Sequence, residues 1–418
     1  MVPLRLAHRP PNATPLPYTA SPLKLLWADL SLVIKYAWAL PLLFFPLRLT
    51  KTNRLDELYP SPLSGVSFGT QVFLTLFQVF FLLSIPVAVV LMIPTVWIFV
   101  YIAVAVTSNY MVCMLMLNGF RRVLVSQVPV PESHIHVRER WFFINGIAGS
   151  QYWVQNNLDQ LSYTFGRKIT GIHNRTAGIV FDLIECLIQR CFSYATNDIR
   201  RAYPLIKEAL LNPDCDKVVL ILHSQGGIEG GLVIDWLLDA LPRDILHHLE
   251  VYTFANAANH FNNPRRACKT NPDAAGSGNF PSRYDWSIGY IEHYANSGDV
   301  VSWIGVLHFI TFPNRYMGRL FIRSGSGHLL DQHYLDTMFT LGPDHKVLEN
   351  NQFMDMEVET NSDCKPNEDC EETLLPTTFP SEEYQQDKDI VTQRVKDYSR
   401  LWQYRNGRIP SDKPKYVG

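Results

Sequence analysis

The sequence predicts an α/β fold, a parallel sheet of about six strands with flanking helices, preceded by a transmembrane helical hairpin. Three observations carry this. Residues 58–120 contain no Asp, Glu, Lys or Arg. After Arg121 and Arg122, short apolar runs alternate with helical patterns, the texture of strands joined by crossover helices. Hydrophobic residues make up 47% of the 418 and charged ones only 18%, against a typical ~25%, which excludes disorder, collagen and a basic nucleic-acid-binding chain.

Taken in order, residues 1–22 hold six prolines and no apolar core, so they read as a disordered tail and not as a cleaved signal peptide. Segment 23–50 is apolar and aromatic, with Lys24, Ser31 and Lys35 on one helical face and breaks at Pro41 and Pro46. That pattern predicts an in-plane helix in the headgroup region. The 47 residues 71–117 form an apolar run. At ~1.5 Å per residue and ~30 Å of hydrocarbon, they make two spans, about 71–92 and 95–117, apolar on all faces, turning near Pro94 with the tip in the far interface. Pro86 kinks the first.

The α/β part is expected between 135 and 345. Strands are predicted at 141–145, 168–173, 217–222, 250–254, 289–294 and 319–323, and helices at 151–161, 179–191, 197–211, 225–241 and 328–341. Residues 256–285, rich in Asn, Gly and Pro, suit a lid or cap. Eleven of the 39 acids fall between Glu349 and Glu383 with one base, Lys365, so 349–381 reads as an acidic disordered linker before a helix over 382–405. Without that stretch the chain carries 36 bases against 28 acids, a surplus suited to anionic lipid surfaces. Seven cysteines show neither zinc spacing nor a disulfide framework, which fits a reducing compartment.

The sharpest chemical signal is K-V-V-L-I-L-H-S-Q-G-G-I-E-G-G at 217–231, a β-branched strand running through Ser224 into a helix. Such a turn projects Ser224 Oγ clear of the sheet, and the helix N-terminus with the Gln225 N–H faces any oxyanion that forms. Here the chain resembles the α/β-hydrolase superfamily, its serine esterase and lipase members with an H-S-x-G-G elbow. The likeness spans about half of the chain. It implies an order of oxyanion loop, nucleophile, acid and histidine. Phe143-Ile144-Asn145-Gly146-Ile147 matches the oxyanion loop and makes Ile147 the second N–H donor. The turn Asn296-Ser297-Gly298-Asp299 supplies the acid, and Ser324-Gly325-Ser326-Gly327-His328 the base. Ser224, Asp299 and His328 would then form a triad in which imidazole takes the serine proton and the carboxylate fixes the tautomer.

Other assignments stay open. His333 is the alternative base. The superfamily has a small residue where Leu222 stands, and a membrane-anchored hydrolase-like interaction protein without turnover rests on that departure. An acyltransferase with the same triad is the other alternative. His223 reads as pocket-lining, Asp182 and Glu185 as a solvated helix face, and Asp235 with Asp239 as an ordinary i, i+4 pair. His247-His248 has no metal-ligand spacing, and no cofactor or metal is expected. Asn12 and Asn174 begin glycosylation triplets of the kind that arise by chance. The expected activity is a membrane-anchored serine hydrolase cleaving a lipid or acyl ester through an acyl-enzyme on Ser224, with the membrane and the ester as partners and no nucleic acid. Lys51 and Arg54 before the hairpin, and Arg121 and Arg122 after it, point to both chain ends, and with them the catalytic domain, in the cytosol. The membrane expected is an endomembrane, endoplasmic reticulum or lipid droplet.

Overall fold

The computed structural model describes residues 16–43, 45–46, 53–130, 133, 136–265, 286–312, 315–359, 375–376 and 394–410. At its centre are strands β1 (Val123–Val125), β2 (Glu139–Ile144), β3 (Ile169–Ile172), β4 (Lys217–His223), β5 (Leu249–Phe254), β6 (Tyr290–Gly298) and β7 (Arg319–Ser326), in the spatial order β1-β3-β2-β4-β5-β6-β7. Strands β2 to β7 are parallel. Val218 to Leu222 are completely buried, as befits a run of Val, Leu and Ile in a strand covered on both faces. All six expected strands are present. The seventh, β1, pairs antiparallel with the β3 edge and has only three residues, too few for a periodic signal.

Four helices flank the sheet: α4 (Gln151–Phe165), α5 (Ile179–Phe192), α6 (Asn197–Leu211) and α7 (Gln225–Ala240). One face packs α6 and α7 through Ile199, Ile206, Val233 and Leu237 against Leu220, Leu222 and Val251. The other packs Leu158, Leu161 and Phe165 of α4, with Leu401 and Trp402 from the C-terminal segment, against Trp141, Phe143, Ile221 and Phe254. In its described part, 394–405, that segment is not one continuous helix, as the expected helix over 382–405 would be. Among the described residues it makes two four-residue turns, Val395–Tyr398 and Arg400–Gln403, divided at Ser399, whose Oγ accepts the Trp402 N–H at 3.0 Å. The expected helix over 328–341 is likewise replaced by a π turn, Leu330–Leu335, and a short Asp336–Met338 helix. The described part of the expected acidic disordered linker is ordered: Phe353 and Met354 are buried, and Val358–Glu359 pairs with Leu375–Pro376. Its remainder, the 1–15 tail, 382–393 and most of the expected lid (266–285) lie outside the described residues.

Toward the N-terminus come α1 (Pro22–Tyr36), a 3-10 helix (Ala37–Leu43), α2 (Pro62–Val90) and α3 (Thr95–Cys113), which ends in a π turn at Met114–Asn118. Two helices, Pro62–Val90 and Thr95–Asn118, are long and apolar enough to cross a membrane. Contrary to expectation, α2 is not apolar on all faces. Ser64, Ser67, Gln71 and Gln78 recur every three, four and seven residues, and all are buried. Ser67 Oγ donates to Ser150 Oγ at 3.0 Å, and Gln71 Nε2 to the Ala148 carbonyl at 3.0 Å. The Ala177 carbonyl accepts from Gln78 Nε2 at 2.6 Å and from Asn109 Nδ2 of α3 at 2.8 Å. This polar stripe ties the hairpin to the loops after β2 and β3, at the carboxyl end of the sheet.

Candidate active site

From β2 the chain runs outward to β3 and then crosses to β4 on the other side of β2. The crevice beyond the carboxyl ends of β2 and β4 is therefore the topological switch point, where open α/β sheets bind ligands. Ser224 sits there, between β4 and α7, with φ 58° and ψ −120°. A non-glycine residue in that region is strained, at a cost of about 1–3 kcal/mol, and persists only where its surroundings fix it. Here the Ser224 carbonyl accepts the Gly227 and Ala257 N–H groups at 2.9 and 3.2 Å. Glycine is required beside it, since a Cβ at Gly226 would stand 2.3 Å from the Ile144 carbonyl oxygen. Leu222 does not crowd the turn, because Gly230, one helical turn along α7, leaves room for its side chain: a Cβ there would lie 2.3 Å from Leu222 Cδ1.

Strand β6 leads into Asp299, which caps the short helix Val300–Ile304 by accepting the Val301 N–H on Oδ1 at 2.9 Å. Its Oδ2 accepts from Tyr334 Oη at 2.7 Å and from His328 Nδ1 at 3.0 Å. Burial pushes this carboxyl up, but the imidazole, the tyrosine and the backbone N–H together hold it below the usual range, so it is ionised at neutral pH. A carboxylate only accepts, which assigns the Nδ1 proton to His328 and leaves Nε2 to accept from Ser224 Oγ, 2.9 Å away. The three side chains are buried and hydrogen-bonded in series.

The alternative base, His333, does not reach Ser224 among its described contacts. Its Nδ1 accepts the Leu329 N–H at 3.0 Å and its Nε2 lies 3.1 Å from the Pro46 carbonyl. The ring packs over Gly327, whose φ of 92° and missing Cβ let the base loop pass. His223, expected as a pocket-lining residue, holds His328: its Nε2 donates to the His328 carbonyl at 2.8 Å. Burial, with the neighbouring His328, pushes His223 down to about 3, so it stays neutral. The Leu43 carbonyl accepts the His328 N–H at 3.1 Å, which brings the N-terminal segment into the site.

Gln225 and Ile147, the expected oxyanion donors, lie on α7 and on the loop after β2. Among the described residues neither N–H has a hydrogen-bond acceptor. Gly146 is the residue that the sequence reading missed: a Cβ there would lie 2.5 Å from Ser224 Cβ, so only glycine lets this loop approach the serine. The loop is held by Asp182, whose Oδ2 accepts the Ala148 N–H at 2.9 Å and the Thr176 hydroxyl at 2.6 Å, while Oδ1 accepts the Ala177 N–H at 2.6 Å. Burial raises Asp182 to about 6 despite these bonds.

The expected solvated face of Asp182 and Glu185 is thus overturned. Gln225 Nε2 donates to Glu185 Oε1 at 3.3 Å and to Gln189 Oε1 at 3.0 Å, and Gln225 Oε1 accepts from Asn174 Nδ2 at 2.7 Å. Asn174 is buried, so its triplet offers no glycan site in the folded chain. Asp235 is more than an i, i+4 partner, since its carboxylate accepts from Asn262 Nδ2 at 2.7 Å and pairs with His260 Nε2 at 2.8 Å. His248 Nδ1 lies 2.7 Å from the Asp216 carbonyl. No group of three or more His, Cys, Asp or Glu among the described residues is placed to hold a metal. No family model, curated protein or solved structure matches the chain.

Proposed function

We infer that the chain is a membrane-anchored serine hydrolase of the α/β-hydrolase type, cleaving an acyl or lipid ester through an acyl-enzyme on Ser224. The observation that carries the reading is the continuous Ser224, His328, Asp299 line at 2.9 and 3.0 Å, with the serine in a strained strand-to-helix turn. The order along the chain, the switch-point position and two unoccupied N–H donors beside the serine support it.

In this reading Ser224 Oγ attacks the ester carbonyl as its proton passes to His328 Nε2. The new C–O bond places negative charge on the carbonyl oxygen, which the Gln225 and Ile147 N–H groups receive. Collapse breaks the ester C–O bond and His328 returns the proton to the leaving alcohol. Water, deprotonated by His328, then attacks the acyl-serine, and the acid is released as Ser224 regains its proton. Asp299 stays ionised throughout and stabilises the imidazolium.

An ester presented by the bilayer fits the position of the hairpin, whose polar stripe docks on the loop that carries Ile147. Endomembrane residence with the domain in the cytosol remains part of the proposal. The test is product analysis: purified full-length protein in vesicles containing phospholipid or acylglycerol esters should release free fatty acid, and Ser224→Ala protein should not. Equal release by both proteins would overturn the reading.

A further inference from the structure

Helix α5 is inverted relative to a helix that faces water. Its three charged residues turn inward: Asp182 to the loop after β2, Glu185 to Gln225, and Arg190 to a buried ion pair with Asp29 of α1 at 2.7 Å. The residues it leaves exposed within its length are Leu183, Ile184, Ile188 and Phe192, with no charge among them. A water-facing amphipathic helix has the opposite arrangement.

This apolar face continues into its neighbours on both sides. At the N-terminal end of α5, the Val180 N–H donates to Gln78 Oε1 of α2 at 3.1 Å, and Phe181 meets Phe81 edge-on with centroids 6.2 Å apart. At the other end, Asp29 of α1 holds Arg190 and accepts from Cys191 Sγ at 3.1 Å. Helix α1 repeats the inversion, with Asp29 buried and Leu23, Trp27, Leu30 and Ile34 exposed along one face. Lys24 and Lys35 flank that face where they can reach headgroups, as long basic side chains do at an interface.

The hairpin gives the depth. Its last described contacts with the sheet domain are at Phe81 on α2 and Asn109 on α3. From Phe81 to the turn at Leu91 is about 15 Å at ~1.5 Å per residue, half of a ~30 Å hydrocarbon layer. Leu91, Met92 and Ile93 at the tip are apolar and exposed. Beside the domain, Leu63, Phe73 and Leu76 of α2 are exposed as well, so a domain held clear of the bilayer would leave them in water together with α1 and α5.

We propose that α1, α5 and the outer faces of α2 and α3 form one surface seated in a single lipid leaflet, with the hairpin tip near the bilayer midplane. The chain is then monotopic and does not span, and α5 is the wall between lipid acyl chains and the Gln225 side of the site. The proposal rests on the hairpin entering the membrane and is independent of catalysis.

The test uses full-length protein in phosphatidylcholine and phosphatidylethanolamine vesicles, with a fluorescent unnatural residue replacing Ile184, Ile188 or Met92 in turn. All three positions are exposed, and an unchanged thermal transition in detergent checks folding. Lipids carrying a nitroxide at acyl carbon 5 or 16 report shallow and deep positions. The α5 labels should be quenched several-fold more by the shallow nitroxide than by aqueous iodide, and the Met92 label most by the deep one. Iodide quenching at Ile184 and Ile188 would overturn the immersion of α5. A Met92 label quenched by the shallow nitroxide and not the deep one would mean a full crossing, and iodide quenching there would reject membrane entry altogether.

Discussion

Replacing Gly230 by alanine asks whether the turn under Ser224 is built around Leu222. A Cβ at Gly230 would lie 2.3 Å from Leu222 Cδ1 and 2.7 Å from Cδ2. Both distances are well inside the ~3.5–4.0 Å optimum for a carbon pair. Leu222 is fully buried between the sheet and α7, so it cannot swing into solvent. Overpacking of this kind costs about 1–3 kcal/mol, set against about 1 kcal/mol that alanine gains over glycine within a helix. Gly230→Ala alone should therefore destabilise by up to about 2 kcal/mol. Leu222→Ala alone should cost about 2–5 kcal/mol through the cavity it opens. Together the changes relieve each other, because the new methyl enters that cavity. The double variant should be about 1–3 kcal/mol more stable than the sum of the single effects. Thermal transitions in detergent micelles measure this at about 2–4 °C per kcal/mol for a domain of this size. Additivity within about 0.5 kcal/mol would refute the idea that glycine is what admits the leucine.

Other outcomes follow from the same geometry. His328→Ala should abolish ester turnover as completely as Ser224→Ala, a loss of about 10⁴-fold or more in kcat, whereas His333→Ala should mainly lower the melting temperature; the reverse pattern would reassign the base. Gly146→Ala should cut kcat by about 10²-fold or more while the protein stays folded, since its methyl would displace either the oxyanion loop or Ser224; unchanged kcat would remove that loop from the site. Asp182 titrates near 6 in the folded chain against an ordinary value of 3.8. The folded state thus holds a proton that the unfolded state has lost, and stability from this group, up to about 3 kcal/mol, falls as pH rises from about 4 to 6. Denaturant titrations at pH 4 and 7 should show a smaller loss in Asp182→Asn than in the parent protein, and equal losses would contradict the assignment.

The sequence revealed most of what a strong local pattern can encode. The strand run 217–223 and the serine after it, and the acid and histidine at the ends of two later strands, all reach the same crevice. What escaped depends on orientation and fit. Asp182 and Glu185 look like a solvated face because charge usually marks the water side, and α5 turns that rule round. The serine and glutamine stripe of α2 was hidden in a run whose average is strongly apolar, although its three-four-seven spacing was present in the sequence. The fit of Leu222 against Gly230, and the bond from His223 to the His328 carbonyl, are contacts between separate elements that no local window contains. An unbroken helix was expected through 394–405 because aromatic residues at helical spacing also serve a chain that turns twice to cover a sheet.

Whether Ser224 is an activated nucleophile is read by reacting the purified full-length protein with a fluorophosphonate and mapping the adduct by mass spectrometry of its peptides. One adduct per chain is expected, on Ser224, absent from Ser224→Ala protein and formed far more slowly in His328→Ala protein. A folded protein left unlabelled at Ser224, or labelled on another serine at the same rate in all three, would contradict it.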